Sequence, residues 1–445
     1  MKKNTLFNIA IMGIFLLCLL AIANNLWTDH KNRRAAAGGD EGNVTVTGAA
    51  AGTEIQGDAT QPSASSGISA SNKKRPETDS ITSATITKDG RLLAPLYKDV
   101  TPPQKEAMFY EELPGGAVKC RLCPWECTLK PNEVGLCNVR QNIDGKLISL
   151  CHSRPCSIAI DPIEKKPFYH FMPGEQAFSL ATAGCNLFCK FCQNWSISQA
   201  KPEDVESFYI PPAGIVKLAK RTNTKVISFT YSEPVVFYEY MIETARHARK
   251  EGIKSTVVSG GFINPEPLKE LCKYVDGIKI DLKAFNEKYY KEIVGGRLQP
   301  VLETLKIIKQ EGVHLEIVYL VVPTLNDDTE EIKRMCLWIK ENLGDKIPLH
   351  FSRFSPRYKM QNYPETPLST VENLRKIAME CGLKYVYVGN VPPGNEGEST
   401  YCHNCGKVLV KRTGYYVAEN NIISAGGRAG AGKCKFCGTP VYGEW

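Results

Sequence analysis

The stretch Phe178-Ser179-Leu180-Ala181-Thr182-Ala183-Gly184-Cys185-Asn186-Leu187-Phe188-Cys189-Lys190-Phe191-Cys192 runs from an apolar, strand-like segment (Phe178 to Ala183) through a glycine into three thiols at C-x3-C-x2-C spacing. Three thiolates can hold three irons of a [4Fe-4S] cube and leave the fourth iron open, whereas electron-carrying ferredoxins close every iron with cysteine. Cys185, Cys189 and Cys192 are therefore candidate ligands of a cluster that binds a small molecule at its open iron. So tight a group seldom serves packing or disulfide formation in an intracellular enzyme.

Outward from this loop, short β-branched runs alternate with amphipathic helical stretches from Phe178 to about Asn390. Strands are expected at 178–183, 226–230, 255–259, 278–282, 314–322, 348–352 and 385–388, with helices such as Val235 to Lys250 and Glu330 to Asn342 between them. Such alternation reads as a parallel sheet with crossover helices, an α/β partial barrel of six to seven strands. The chemically distinctive residues fall where strands end: Gly184-Cys185, Ser232-Glu233-Pro234, Ser259-Gly260-Gly261, Asp281-Leu282-Lys283 and Arg353. The C-terminal rim of parallel strands is where (β/α) barrels place their sites.

The spacing of the three cysteines, with Phe191 before the third, resembles the cluster loop of radical S-adenosylmethionine (SAM) enzymes, and Cys192-Gln193-Asn194 resembles the pyruvate formate-lyase activating branch. The resemblance implies a [4Fe-4S] cluster that cleaves SAM reductively to a 5'-deoxyadenosyl radical, fed by a low-potential electron donor. It also implies cofactor-binding roles by position: Phe191 beside the adenine, Ser232 and Glu233 at the place of a Gly-Gly-Glu-Pro segment, Ser259 and Gly260 after the next strand, and Asp281 and Lys283 in an Asp-Leu-Lys that touches SAM. Tyr231-Ser232-Glu233-Pro234 keeps Glu-Pro and lacks both glycines.

Of 17 cysteines, eleven sit in three short-spaced groups, which is metal-ligand usage and not a secreted disulfide framework. Cys402-x2-Cys405-Gly406 and Cys434-x2-Cys437-Gly438 form two knuckles able to place four thiolates around one ion, a zinc-ribbon signal with rubredoxin-like iron as the minor alternative. Cys120, Cys123, Cys127 and Cys137 offer four more thiols at a spacing that matches no standard knuckle pair, which leaves a structural zinc and a second iron-sulfur cluster both open. Between them and the barrel, Asp161 to Phe171 is too proline-broken for a continuous helix and is expected as an ordered loop against the barrel, with His170 a structural hydrogen bonder.

The Cys120-Arg121-Leu122-Cys123-Pro124 segment, the 161–174 segment joined to the cluster loop, and the terminal cysteine pairs occur in an order that resembles the AmmeMemoRadiSam-system radical SAM enzyme family over roughly residues 92 to 445. That resemblance implies Memo-like and AMMECR-like proteins as partners and supplies no substrate. Rival readings are a glycyl-radical enzyme activase, a membrane-tethered electron carrier with a fourth thiol such as Cys156, and a zinc-ribbon interaction module.

The chain begins differently. Leu6 to Ala23 is apolar except for Asn8 and, at about 1.5 Å per residue, nearly crosses a bilayer core. Residues 1–34 read as a membrane anchor, with a cleaved signal peptide as the alternative because Ala21-Ile22-Ala23 mimics a cleavage site. Residues 35–91 read as a flexible Ala/Gly/Ser-rich linker, followed by an N-proximal Cys-rich segment (92–177), the barrel (178–391) and a ribbon-like segment (392–445). An oxygen-sensitive cluster favours the cytoplasmic face. A net charge of +8 comes from 55 basic and 47 acidic residues without a basic run carrying interleaved aromatics, so nucleic acid is not an expected partner.

Overall fold

A computed structural model describes residues 84–86, 92–424 and 432–445. The expected anchor at Leu6 to Ala23 and nearly all of the linker lie outside them. Among the described residues no helix is long and apolar enough to cross a membrane.

The central element is an eight-stranded sheet whose spatial order follows the chain. An edge strand, β1 (Ser157–Pro162), pairs antiparallel with β2 (Gln176–Ala181). Six further strands follow in parallel: β3 (Val226–Phe229), β4 (Lys254–Ser259), β5 (Gly277–Asp281), β6 (His314–Val321), β7 (Leu349–Arg353) and β8 (Val386–Gly389). The crossovers carry helices α1 (Pro212–Arg221), α2 (Tyr238–Lys250), α3 (Pro265–Cys272), α4 (Leu298–Gln310), α5 (Thr329–Asn342) and α6 (Leu368–Glu380). Local sequence sets their starts. Proline opens α1 and α3, where a missing N–H costs nothing. Asp328 caps α5, its carboxylate accepting from Glu331 N at 2.8 Å.

The register separates two faces. Leu180, Phe229, Val257, Ile280, Ile317 and Phe351 lie on the side covered by helices and are buried there, each burial stabilising by about 1.5–3 kcal/mol. The other face carries Ser179, Ser228, Thr256, Lys279, Glu316 and His350, so the concave interior is polar. Of the 161–171 stretch expected as an ordered loop, Asp161 and Pro162 instead end strand β1, and the segment from Ile163 to Gly174 packs into the N-terminal end of this interior. Phe171 sits so close to Gly277 that a Cβ there would lie 3.1 Å from its ring. His170 is buried between Tyr442 O and Tyr387 Oη, both at 2.5 Å. The C-terminal residues close the same end, where Tyr442 Oη accepts from Leu315 N at 2.8 Å and Arg412 donates to Tyr169 O at 2.7 Å.

Candidate functional site

The cysteine loop leaves β2 at the C-terminal rim and is tied down on every side. Phe188 N and Lys190 N donate to Val294 O and Ile293 O, at 2.8 and 3.0 Å. Asn186 Nδ2 reaches Phe262 O at 2.7 Å, and Gln199 Nε2 reaches Leu187 O at 3.1 Å. Gly295 and Gly296 lie flat against the loop, where a Cβ would come within 2.9 Å of Phe188 and 2.7 Å of Leu187. This clamp, the π-turn Tyr290–Val294 followed by two glycines, was not expected from sequence; the Gly295-Gly296 pair was its one signal.

Leu187 N donates to Cys185 Sγ at 3.4 Å, and Cys192 Sγ and Ser198 Oγ share a hydrogen bond at 3.1 Å. Burial pushes the Cys189 thiol up to about 12, so it stays protonated until a metal displaces the proton. Lys283 faces Cys189 and opposes that rise.

The remaining rim residues converge on this loop. Glu233 is 3% exposed and fully engaged: Oε1 accepts from Ser259 Oγ at 2.7 Å and Val235 N at 3.1 Å, and Oε2 from Gly260 N at 2.8 Å. Burial raises its pKa. Glu233 and Ser259 thus hold each other and shape the turn at Gly260, where a Cβ would lie 2.7 Å from Leu187 and 3.6 Å from the Lys283 side chain. Asp281 pairs with both Lys279 and Lys283, the latter at 3.4 Å. Although desolvation opposes it, these two ammonium groups hold the Asp281 carboxyl below its ordinary range. Phe191 is buried against Tyr289, with Lys283 Nζ 5.8 Å from its ring centroid.

At the Gly-Gly-Glu-Pro place the backbone still takes a conformation that favours glycine. Tyr231 has φ 65°, a cost retained where surrounding structure over-determines it. Asn194 Nδ2 donates to Tyr231 O at 2.8 Å, and the Tyr231 hydroxyl bonds Asp161 and Lys166 inside the barrel. Next to it, Ser232 Oγ is buried and has no hydrogen-bond partner among the described residues. Three thiols on a pinned loop, an ammonium and a carboxylate beside them, and an unanswered hydroxyl fit an iron-sulfur cube with a polar cosubstrate.

Elsewhere, Cys402, Cys405, Cys434 and Cys437 place their sulfurs within 4.8 Å of one another and could hold one metal ion. Cys120, Cys123, Cys127 and Cys137 surround a single cavity on the far side of the cysteine loop.

A family model agrees with this geometry. Residues 179–336 match the Radical SAM superfamily model. An uncharacterised protein of Methanocaldococcus jannaschii, MJ0808, is 44% identical over 337 residues, which is 76% of this chain and 98% of that one. Pyruvate formate-lyase 1-activating enzyme of Escherichia coli is 24% identical over 222 residues, 46% of this chain and 89% of that enzyme. A solved radical SAM methyltransferase from Sphaerobacter thermophilus aligns at 15% identity and a TM-score of 0.40, over 54% of this chain and 71% of its own. The chain belongs to the radical SAM superfamily. It is a radical SAM enzyme, homologous to the activating enzymes of pyruvate formate-lyase.

Proposed function

We propose that Cys185, Cys189 and Cys192 hold the catalytic [4Fe-4S] cluster and that SAM lies between it and the rim formed by Ser232, Gly260, Asp281 and Lys283. The placement of Lys283 against the loop, its Nζ 5.8 Å from the Phe191 ring and 3.4 Å from Asp281, with Gly260 wedged between its side chain and Leu187, carries this reading. When bound, the cluster supplies the electron that cleaves the carbon–sulfur bond of SAM, releasing methionine and a 5'-deoxyadenosyl radical that takes hydrogen from a substrate. The chain's own residues position and exclude. Ser232 Oγ offers an unanswered hydrogen bond, the turn held by Glu233 and Ser259 presents main chain at Gly260, and the 290–296 clamp keeps the loop from shifting. Lys283 carries positive charge toward the thiolates. Phe191, packed on Tyr289, walls the adenine side. Anaerobic reconstitution followed by assay for 5'-deoxyadenosine with dithionite and SAM tests the reading. A fully iron-loaded protein that makes none would overturn it.

The finer assignment is the radical SAM component of the AmmeMemoRadiSam system, supported by the order of its three cysteine groups and carrying Memo-like and AMMECR-like proteins as partners. A low-potential carrier protein supplies the electron. Activation of a glycyl-radical enzyme is a second reading, favoured by the homology to pyruvate formate-lyase activases; deuterium transfer from a glycine-labelled protein into 5'-deoxyadenosine would distinguish it. We further assign zinc to the C-terminal quartet. A zinc tetrahedron with Zn–S of about 2.3 Å has edges of about 3.8 Å, and the Cys402–Cys437 and Cys405–Cys434 sulfurs stand 3.6 and 3.8 Å apart. From the apolar composition of Leu6 to Ala23 we place the enzyme at a membrane, and from its oxygen-sensitive cluster and its many thiols on the inner face. Labelling of Cys402 and Cys434 by an impermeant thiol reagent in intact cells would refute that placement.

A further inference from the structure

Cys120, Cys123, Cys127 and Cys137 all line one small cavity, whose other walls include Leu122, Trp125, Leu129, Leu136 and Val236. The loop that carries them folds back on itself, Cys120 N donating to Cys127 O at 2.9 Å. Their arrangement differs from that of the C-terminal quartet. Among the described residues, the C-terminal quartet is the group of three or more candidate ligands whose atoms all lie within 4.8 Å of one another. Among the described residues no three sulfurs of the 120–137 loop, nor the three of the 185–192 loop, all lie within 4.8 Å of one another, a closeness that thiolates on different irons do not need.

Charge points the same way. Arg140 is 2% exposed and brings Nη1 to 3.7 Å from Cys120 Sγ, while Nη2 pairs with the fully buried Glu239. A buried guanidinium is costly unless anions answer it; Nη1 also donates to Met108 O at 3.2 Å, and a Cys120 thiolate would add a second anion beside Glu239.

The site also shares a wall with the radical loop. Asn186, which follows Cys185, lines the cavity, and Trp125 Nε1 donates to Asn186 O at 2.7 Å. Gly184 packs so tightly there that a Cβ would lie 2.6 Å from Cys137 O.

We propose that Cys120, Cys123, Cys127 and Cys137 hold a second [4Fe-4S] cluster, closed by four thiolates, that relays electrons to the cluster on Cys185, Cys189 and Cys192. With every iron ligated by cysteine it binds no cosubstrate. One electron enters from a low-potential one-electron carrier protein and the same electron leaves to the radical-site cluster, with no bond made or broken at the relay. The relay role, but not the cluster, rests on the proposed function of the 185–192 loop.

The test uses the full chain reconstituted anaerobically, with iron, sulfide and zinc measured per chain. Wild type is expected to hold roughly eight irons, two cubes, and about one zinc. The triple variant Cys185→Ala, Cys189→Ala, Cys192→Ala should keep about four irons, with a reduced EPR signal that SAM does not alter. The double variant Cys120→Ala, Cys123→Ala should keep about four irons whose signal SAM does alter. In that variant the ratio of deoxyadenosine formation with a flavodoxin-type donor to that with dithionite should fall at least about tenfold. No iron and a second zinc in the triple variant would overturn the cluster, as would an unchanged iron count in the double variant should the triple fail to fold. An unchanged donor ratio would overturn the relay. Iron retained at 120–137 with no SAM response anywhere would sink the reading of the radical loop while leaving the second cluster standing.

Discussion

The two ends of the barrel interior bury similar polar chemistry and use it differently. At the N-terminal end Glu316, fully buried, accepts from Tyr169 N at 3.0 Å, His170 N at 2.8 Å, His314 Nε2 at 3.0 Å and His350 Nε2 at 2.7 Å. Burial would raise its pKa, yet the histidine hydrogen bonds hold it far below the ordinary carboxylate range. All that capacity is spent on closing the barrel. At the C-terminal rim Asp281 and Lys283 stand half-buried beside three thiols, and Ser232 Oγ is unanswered. Buried polar groups are normally satisfied; where they are not, a ligand has something to add. Glu316 is saturated although His314 Nδ1 next to it lacks a partner, so what marks the rim is an unanswered hydroxyl together with an ion pair and three thiols, and not unsatisfied atoms as such.

The largest effect should come from the rim. Cys189→Ala is expected to reduce deoxyadenosine formation to background, whereas Cys272→Ala, in a buried packing position on α3, should leave it measurable. Equal loss in both would erase the distinction between the two kinds of cysteine. Next comes the closed end. Glu316→Ala leaves His314, His350 and two backbone N–H groups without their acceptor and should cost about 3–5 kcal/mol of stability, read as a lower denaturant midpoint. Its deoxyadenosine yield per loaded radical cluster should stay near wild type, and a collapse of that yield would mean the two ends are one site. Lys283→Met should do the reverse, lowering SAM turnover by about 1.5–3 kcal/mol, or roughly 10- to 100-fold, with little change in the unfolding midpoint.

The sequence was most legible where periodicity was long. The seven strands expected from β-branched runs appear within a few residues of their places, as at 176–181 for 178–183 and 254–259 for 255–259. The edge strand β1 escaped because most of its residues are only half-buried and because it ends in Asp161-Pro162; its partner becomes visible only once β2 is in place. The rim residues were legible because they sit at strand ends, but their division of labour was not. Sequence put Glu233 and Ser259 at the cosubstrate, whereas their side chains are engaged with each other. The Gly-Gly departure hid a positive φ that Tyr231 supplies. The clamp at 290–296 was invisible because three helical residues followed by a π-turn have no period to read. For the quartets, spacing in sequence separated knuckles from an irregular group, but only the sulfur positions distinguish an ion-sized cage from a wider one.

The smallest effect per unit of the variable changed should be a pH dependence of the closed end. Burial lowers the His170 pKa to about 3, Glu316 opposing and His314 and Arg412 assisting, while Tyr387 Oη and Tyr442 O occupy its two ring nitrogens. The unfolded chain binds this proton below about 6.5 and the folded chain does not until about 3, so between these values the unfolded state holds more protons and stability falls as pH falls. The slope is at most about 1.4 kcal/mol per pH unit for one group. His170→Gln removes the titration. Plotted against wild type, its relative stability should rise steadily from pH 6.5 to pH 4, at constant zinc and cluster loading. Parallel curves would show that His170 is charged in the folded protein, and the closed end would then hold a reserve of protonation that the hydrogen-bond pattern does not provide.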